Sequence, residues 1–162
     1  MATGRIDLGT YGDKLFELGI PGMDADINIS SIVSYTNGTD EPVDVGVAVG
    51  VNEEGRIVPL TASSEVTGVT VRHPVWPANA DGEWFYPPNS AVPVMEFGRI
   101  WAICVAGCNV GDPVSAETDG TLSVGGALPV TGAFWDSVAD AGGIALLRLN
   151  RIKLPEAAAT PP

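Results

Sequence analysis

Apolar residues recur with a period of two over Val43, Val45, Val47 and Val49, separated by Asp44, Gly46 and Ala48. The run predicts a strand with one apolar face and one small or polar face. Asn52-Glu53-Glu54-Gly55 follows with turn chemistry, and Arg56-Ile57-Val58-Pro59-Leu60 then resumes the extended pattern. Residues 43–60 thus predict a hairpin, with Pro59 placing its second strand near a sheet edge. Upstream, residues 27–35 are rich in Ile, Ser and Val and end at the turn Asn37-Gly38-Thr39-Asp40. Downstream, strands are predicted over 66–72, 91–97, 100–105, 113–117, 121–124 and 143–150. Their separators include Gly98-Arg99, Asp119-Gly120 and Gly125-Gly126. Turns spaced at roughly 8 to 12 residues mark a sandwich or closed barrel rather than alternating helix and strand. The chain reads as all-β, a single β-barrel or jelly-roll-like sandwich.

The two ends differ from this body. Between Gly4 and Gly22 the main apolar cluster is Leu15, Phe16, Leu18 and Ile20, set between Gly12 and Pro21-Gly22. It is too short and too broken for a free-standing helix, so residues 1–26 read as an extended arm. The body spans 27–153, and 154–162, with Ala157-Ala158-Ala159 and Pro161-Pro162, reads as a C-terminal tail. Asp7, Asp13, Lys14 and Glu17 interrupt any secretory apolar run. Synthesis in the cytoplasm is the expectation. No stretch reaches the roughly 18 apolar residues of a membrane helix, so no membrane partner is expected.

Composition sharpens this reading. The 162 residues include 20 Gly and 13 Pro, which interrupt helices throughout. Eight Lys and Arg against 20 Asp and Glu leave a net charge of −12, which disfavours nucleic acid as a ligand. Cys104 and Cys108 are not a Cys-x-x-Cys pair and read as reduced thiols near a strand end, although a local bridge is conceivable if the chain turns there. His73 is the one histidine, too few for a typical catalytic zinc site, and no Gly-x-Ser-x-Gly elbow accompanies it. Asp24-x-Asp26, Glu53-Glu54 and the Asp136, Asp140 pair lack the oxygen spacing of a calcium loop and read as solvated turn acids. No catalytic residue, cofactor or metal is assigned.

Two clusters remain. Trp76, Trp84, Phe85 and Tyr86 lie in a long connection holding Pro74, Pro77, Pro87 and Pro88. They could close the end of the core, contact a partner, or stack on sugar rings, because each ring can cover about 150–250 Å². Arg148, Arg151 and Lys153 form a local positive patch on an acidic chain, either a solvated strand edge or a contact for an acidic surface.

In order and spacing, Pro21-Gly22, Gly46-Val47-Ala48-Val49, Gly68-Val69-Thr70-Val71, Val92-Pro93-Val94, Gly98-Arg99-Ile100-Trp101, Gly111-Asp112-Pro113-Val114 and Asp119-Gly120-Thr121-Leu122 resemble the elements of cement or decoration proteins on tailed-bacteriophage capsids. The resemblance implies a non-enzymatic β protein on the outside of a virion shell, made in the host cytoplasm. It implies that the protein spans neighbouring major capsid subunits and pairs with its own copy, with no cofactor. It fixes no contact residues. Those inferred from the residues themselves are Leu15, Phe16, Leu18 and Ile20 in the arm and Arg148, Arg151 and Lys153 in the patch. The alternative is a carbohydrate-binding sandwich using Trp76, Trp84 and Tyr86.

Overall fold

The computed structural model describes residues 19–25, 28–73 and 84–150. Among them eleven strands form and no helix: β1 (Ser31–Asn37), β2 (Val43–Asp44), β3 (Ala48–Val51), β4 (Arg56–Val58), β5 (Gly68–Thr70), β6 (Phe85–Tyr86), β7 (Ala91–Cys104), β8 (Pro113–Ala116), β9 (Leu122–Ser123), β10 (Leu128–Trp135) and β11 (Gly143–Asn150). The all-β reading is met. Asn52–Gly55 turns β3 into antiparallel β4, with Val51 opposite Ile57, as the hairpin pattern predicts. β11 also lies where the sequence places it, with Ala145, Leu147 and Leu149 buried and the residues between them less so.

The sheet order is β1-β4-β3-β5-β7-β11-β10-β8-β9, and two further pairings, β1 with β7 and β7 with β9, close it. Two rings result, and both use β7. Its first half pairs with β1 and β5, so that Val94 faces Val33 on one side and Thr70 on the other. Its second half pairs with β11 from Phe97 to Cys104 and touches β9 where Cys104 meets Leu122. Closure removes sheet edges that would otherwise recruit other strands.

The core follows the rings. Val43, Val49, Ile57, Tyr86, Val92 and Val94 form one cluster. A larger one gathers Met95, Ile100, Ala102, Cys104, Trp135 and Leu147 among others. Buried positions along β7 run Val92 and Val94, then Met95, then Ile100, Ala102 and Cys104. The even Val92 and Val94 belong to the smaller cluster, whereas within the larger one the buried positions shift from odd, at Met95, to even, at Ile100, Ala102 and Cys104. Gly98, at φ +131°, lies in the interval where that phase changes. The β1 register slips at the same place, between Ser31 opposite Phe97 and Ile32 opposite Met95. An irregularity of this kind re-aims every later side chain, because strand faces alternate strictly.

Four sequence expectations need correction. Gly98-Arg99 is not a separator, because β7 runs through it while Gly98 and Arg99 pair with Leu149 and Arg148. The Val43–Val49 alternation is not one strand. Gly46, at φ +73°, turns the chain, so β2 pairs with β6 whereas β3 pairs with β4 and β5. β4 is no edge, since β1 pairs with it in parallel on its other side, and Pro59 falls just beyond its end. β10 lay outside the predicted strands. Its burial alternates through Leu128 and Val130, then shifts by one to Ala133 and Trp135 across Gly132, at φ +76°, which hides the period.

Candidate functional site

The described part of the arm is held along the middle of β7. The Gly22 amide donates to the Trp101 carbonyl (2.8 Å), the Trp101 amide to the Met23 carbonyl (3.0 Å) and the Ala25 amide to the Arg99 carbonyl (2.9 Å), with Asp24 bridged antiparallel to Ile100. Pro21-Gly22 makes this possible. Gly22 takes φ +80°, and its carbonyl accepts the Arg72 amide at 2.6 Å. Gly19 lies so close to Trp101 that a Cβ there would sit 2.0 Å from the indole Cδ1. Residues 19–25 of the predicted arm therefore lie against the body, joined to it by main-chain bonds.

Of the apolar arm candidates, Ile20 is described and half exposed; Leu15, Phe16 and Leu18 lie outside the described residues. Ile20 forms a wall of an apolar groove of about 560 Å³ with Met23, Ile32, Val71, Trp84 and Pro93, and Asp24, Arg72 and His73 also border it. Met23 and Ile32 were not singled out in the sequence. They belong to different elements, and only the pairing of both with β7 brings them together.

Arg148 is described, whereas Arg151 and Lys153 are not. In β11 it stands directly opposite Arg99 of β7. Two like charges across a pair would repel. Asp136 compensates: its Oδ2 accepts Arg148 Nε at 3.0 Å, Arg148 Nη2 at 2.7 Å and Arg99 Nη2 at 2.8 Å. The patch is thus tied down on its inner side. The Arg148 side chain still keeps 43% of its exposure and can meet an outside group. Asp136, read in the sequence as a solvated turn acid, is instead the least exposed member of this triad, at 16%.

The aromatic cluster separates. Trp76 lies outside the described residues. Phe85 is half-buried in β6, and Trp84 is half-buried with the Arg72 guanidinium 3.9 Å from its ring centre. Tyr86 is core: 2% exposed, its phenol donates to the Val71 carbonyl and accepts from the His73 amide. Burial raises its pKa above the ordinary tyrosine value. That places Tyr86 in the lid reading and removes it from any sugar-stacking platform, which needs an open ring face.

Other titratable groups have structural partners. Cys104 and Cys108 are free and buried, and burial with the neighbouring Cys104 pushes the Cys108 thiol up to about 11. The Thr121 backbone amide and hydroxyl hold the Asp119 carboxyl below the usual carboxylate range. Among the described residues no group of three or more His, Cys, Asp or Glu could hold a metal ion, and no helix is long and apolar enough to cross a membrane.

A family model described as structural cement protein (E217 gp24/Pam3 gp6) matches residues 8–150. Among solved structures, the chain is similar to one from the capsid of Myoviridae phage XM1, with a TM-score of 0.68 and 18% identity over 83% of this chain and 92% of that one, a likeness of fold. A chain of the head fiber gp8.5 N base of bacteriophage phi29 is more distant, at TM-score 0.48 and 16% identity over 78% of this chain and 100% of that one, too remote to bear on fold or function. No curated protein matches the chain.

Proposed function

The chain belongs to the structural cement protein family, and from that membership we propose that it is a non-enzymatic protein that stabilises a phage capsid by binding the outer surface of the shell and bridging neighbouring major capsid subunits. The observation that carries this reading is the family match across residues 8–150, which takes in arm and body together. The physical requirement is modest. Any ligand that binds the closed lattice better than its separated subunits stabilises the lattice by linkage. Specific contacts generally bury at least about 1,000 Å² in total, an area a small rigid body reaches most readily with an added arm.

In this reading Leu15, Phe16, Leu18 and Ile20 contribute apolar contacts on the shell, and Arg148, Arg151 and Lys153 meet acidic groups of a neighbouring subunit. Two copies pair on the shell, so that each is tethered at more than one point and weak contacts sum. The protein is made in the host cytoplasm and acts on the virion exterior. The body is compatible with this role: two closed rings share β7, so the arm root and the Arg148 patch are both anchored on one strand or its direct partner.

The test is occupancy on purified shells stripped of the protein. Full-length wild type is expected to saturate at a fixed copy number per shell and to raise the temperature at which the shell opens. Leu15→Ser, Phe16→Ser and Leu18→Ser together are expected to weaken binding on the order of a hundredfold, as removal of a central apolar anchor does. Undiminished occupancy of that variant removes the arm from the contact, and failure of wild type to bind any shell overturns the function.

A further inference from the structure

Ring closure leaves a stretch of β1 open. β7 pairs along one side of the strand from Ser31 to Thr36, but β4 covers the other side only at Thr36 and Asn37. Which main-chain groups face the open side follows from Pro93. Opposite Ser34, Pro93 has no N–H, and its carbonyl accepts the Val71 amide at 2.8 Å on the far side of β7. The Ser34 and Pro93 pair is therefore not hydrogen-bonded, and by alternation neither is the Ile32 and Met95 pair two residues along. Ile32 and Ser34 thus direct their N–H and C=O groups outward, as does Thr36, whose amide donates to the Gly55 carbonyl at 3.3 Å. Among the described residues no main-chain bond is made on that side of Ile32 or Ser34. Ser31, Ile32, Val33 and Ser34 are all exposed, and β1 carries no charged residue and no proline, two devices by which edge strands turn away other chains.

We propose that this edge pairs with the same edge of a second copy, β1 against β1 and antiparallel about a twofold axis at Val33. The inference rests on the reading that two copies pair on the shell, and it names where they meet. The open groups fix the register. With Val33 opposite the partner's Val33, Ile32 faces the partner's Ser34 and Ser34 the partner's Ile32, and each of these pairs exchanges two hydrogen bonds. Every outward group of Ile32 and Ser34 is then satisfied in both copies. An axis at Ser34 would need the outer side of Thr36, which Gly55 already occupies, and an axis at Ile32 would set Ser34 against Ser30, outside the strand. Charge points to the same occupant. The chain carries −12 overall, so two copies approach best through an uncharged surface, and β1 offers one with Ile32 and Val33 on it.

The edge is short, and its size says where the pair forms. Three residues a side bury less than the roughly 1,000 Å² of a stable specific interface, so the contact is weak in dilute solution. Neighbouring copies held on one lattice meet at millimolar effective concentration, which suits a contact of this size.

The experiment uses the full-length chain without shells, so that a failure to pair and a failure to bind capsid give separate results. In hydrogen exchange followed by NMR, the Ile32 and Ser34 amides are expected to slow about twofold between micromolar and millimolar protein, where about half the chains would pair. The Val33 amide, already facing Val94 of β7, is expected to stay constant. Val33→Cys is expected to give a covalent dimer at millimolar concentration with oxidised glutathione, which is reduced to two thiols as the bond forms, because directly facing positions lie within disulfide reach. In the same register Ser34 lies about 8 Å from the partner's Ser34, beyond that reach, so Ser34→Cys is expected to cross-link on the order of tenfold more slowly. Wild type gives the background, since Cys104 and Cys108 are buried. Exchange at Ile32 and Ser34 that ignores concentration overturns the proposal. So does a Val33→Cys chain that stays monomeric, and so does Ser34→Cys cross-linking as fast as Val33→Cys, which would mark random collision or another register.

Discussion

Gly22 and Gly46 meet main chain to main chain, so that a Cβ built on Gly46 would lie 2.9 Å from the Gly22 nitrogen, and both residues occupy positive φ, at +80° and +73°. This contact joins the arm root to the turn that separates β2 from β3. Gly46→Ala is therefore expected to incur both a backbone strain and a steric one, together about 1–3 kcal/mol, read as a lower urea midpoint. Gly111→Ala provides the control, since Gly111 has φ +91° but open space around a Cβ. It should lose only the conformational part, so equal losses at the two sites would deny the close approach any role.

Tyr86→Phe keeps the buried ring and removes the hydroxyl that binds both the Val71 carbonyl and the His73 amide. A loss of about 1–3 kcal/mol is expected in thermal or urea unfolding, the scale for buried backbone groups that lose a partner. A neutral result would mean that water replaces the hydroxyl there.

Asp136 holds Arg99 and Arg148 together across the β7 and β11 pair. Asp136→Ala leaves two guanidinium groups facing each other and is expected to lower stability by about 1–3 kcal/mol. Adding Arg148→Ala in that background should restore part of the loss, whereas Arg148→Ala alone should destabilise. Urea unfolding of the four proteins closes a double-mutant cycle, and simple additivity would show that the triad is not coupled.

The Cys108 thiol keeps its proton in the folded chain up to about 11, against 9.0 for the unperturbed group. An unfolded thiol ionises first, so this contribution to stability is fully present below pH 9 and is lost as pH rises through 11. Urea midpoints measured across pH 8 to 12 should fall through that window less steeply in Cys108→Ala than in wild type. At neutral pH the same protonation, together with burial, should leave Cys108 slow to react with iodoacetamide in the native protein and fast once unfolded.

Strands bounded by recognisable turns were legible in the chain itself. The Asn52–Gly55 turn and the alternating burial of β11 follow from residue chemistry, because both are local. Elements containing a glycine at positive φ were not. Gly46 splits one alternation into two strands, while Gly98 and Gly132 mark phase changes inside continuous ones. A glycine looks the same in sequence whether it ends a strand or bends it. The choice lies with the partner strand, such as the β11 residues that pair straight through Gly98 and Arg99.

The candidate site divides in the same way. Arg148 and Ile20 could be nominated from composition, and Trp84 from its aromatic company, but not their neighbours in space. Asp136 reaches Arg99 and Arg148 from another strand connection, and the groove wall draws Met23, Ile32 and Val71 from three separate stretches of the chain.

By itself, then, the order of residues determined an all-β chain with an acidic balance, since those depend on local pattern and on sums over composition. Only the tertiary structure decided that β7 serves two rings, that Tyr86 is core, and that an Asp24 oxygen without a partner among the described residues lies beside an apolar hollow. Each of these depends on which distant segments share a face, and long-range pairing sets that through contacts that no window along the chain contains.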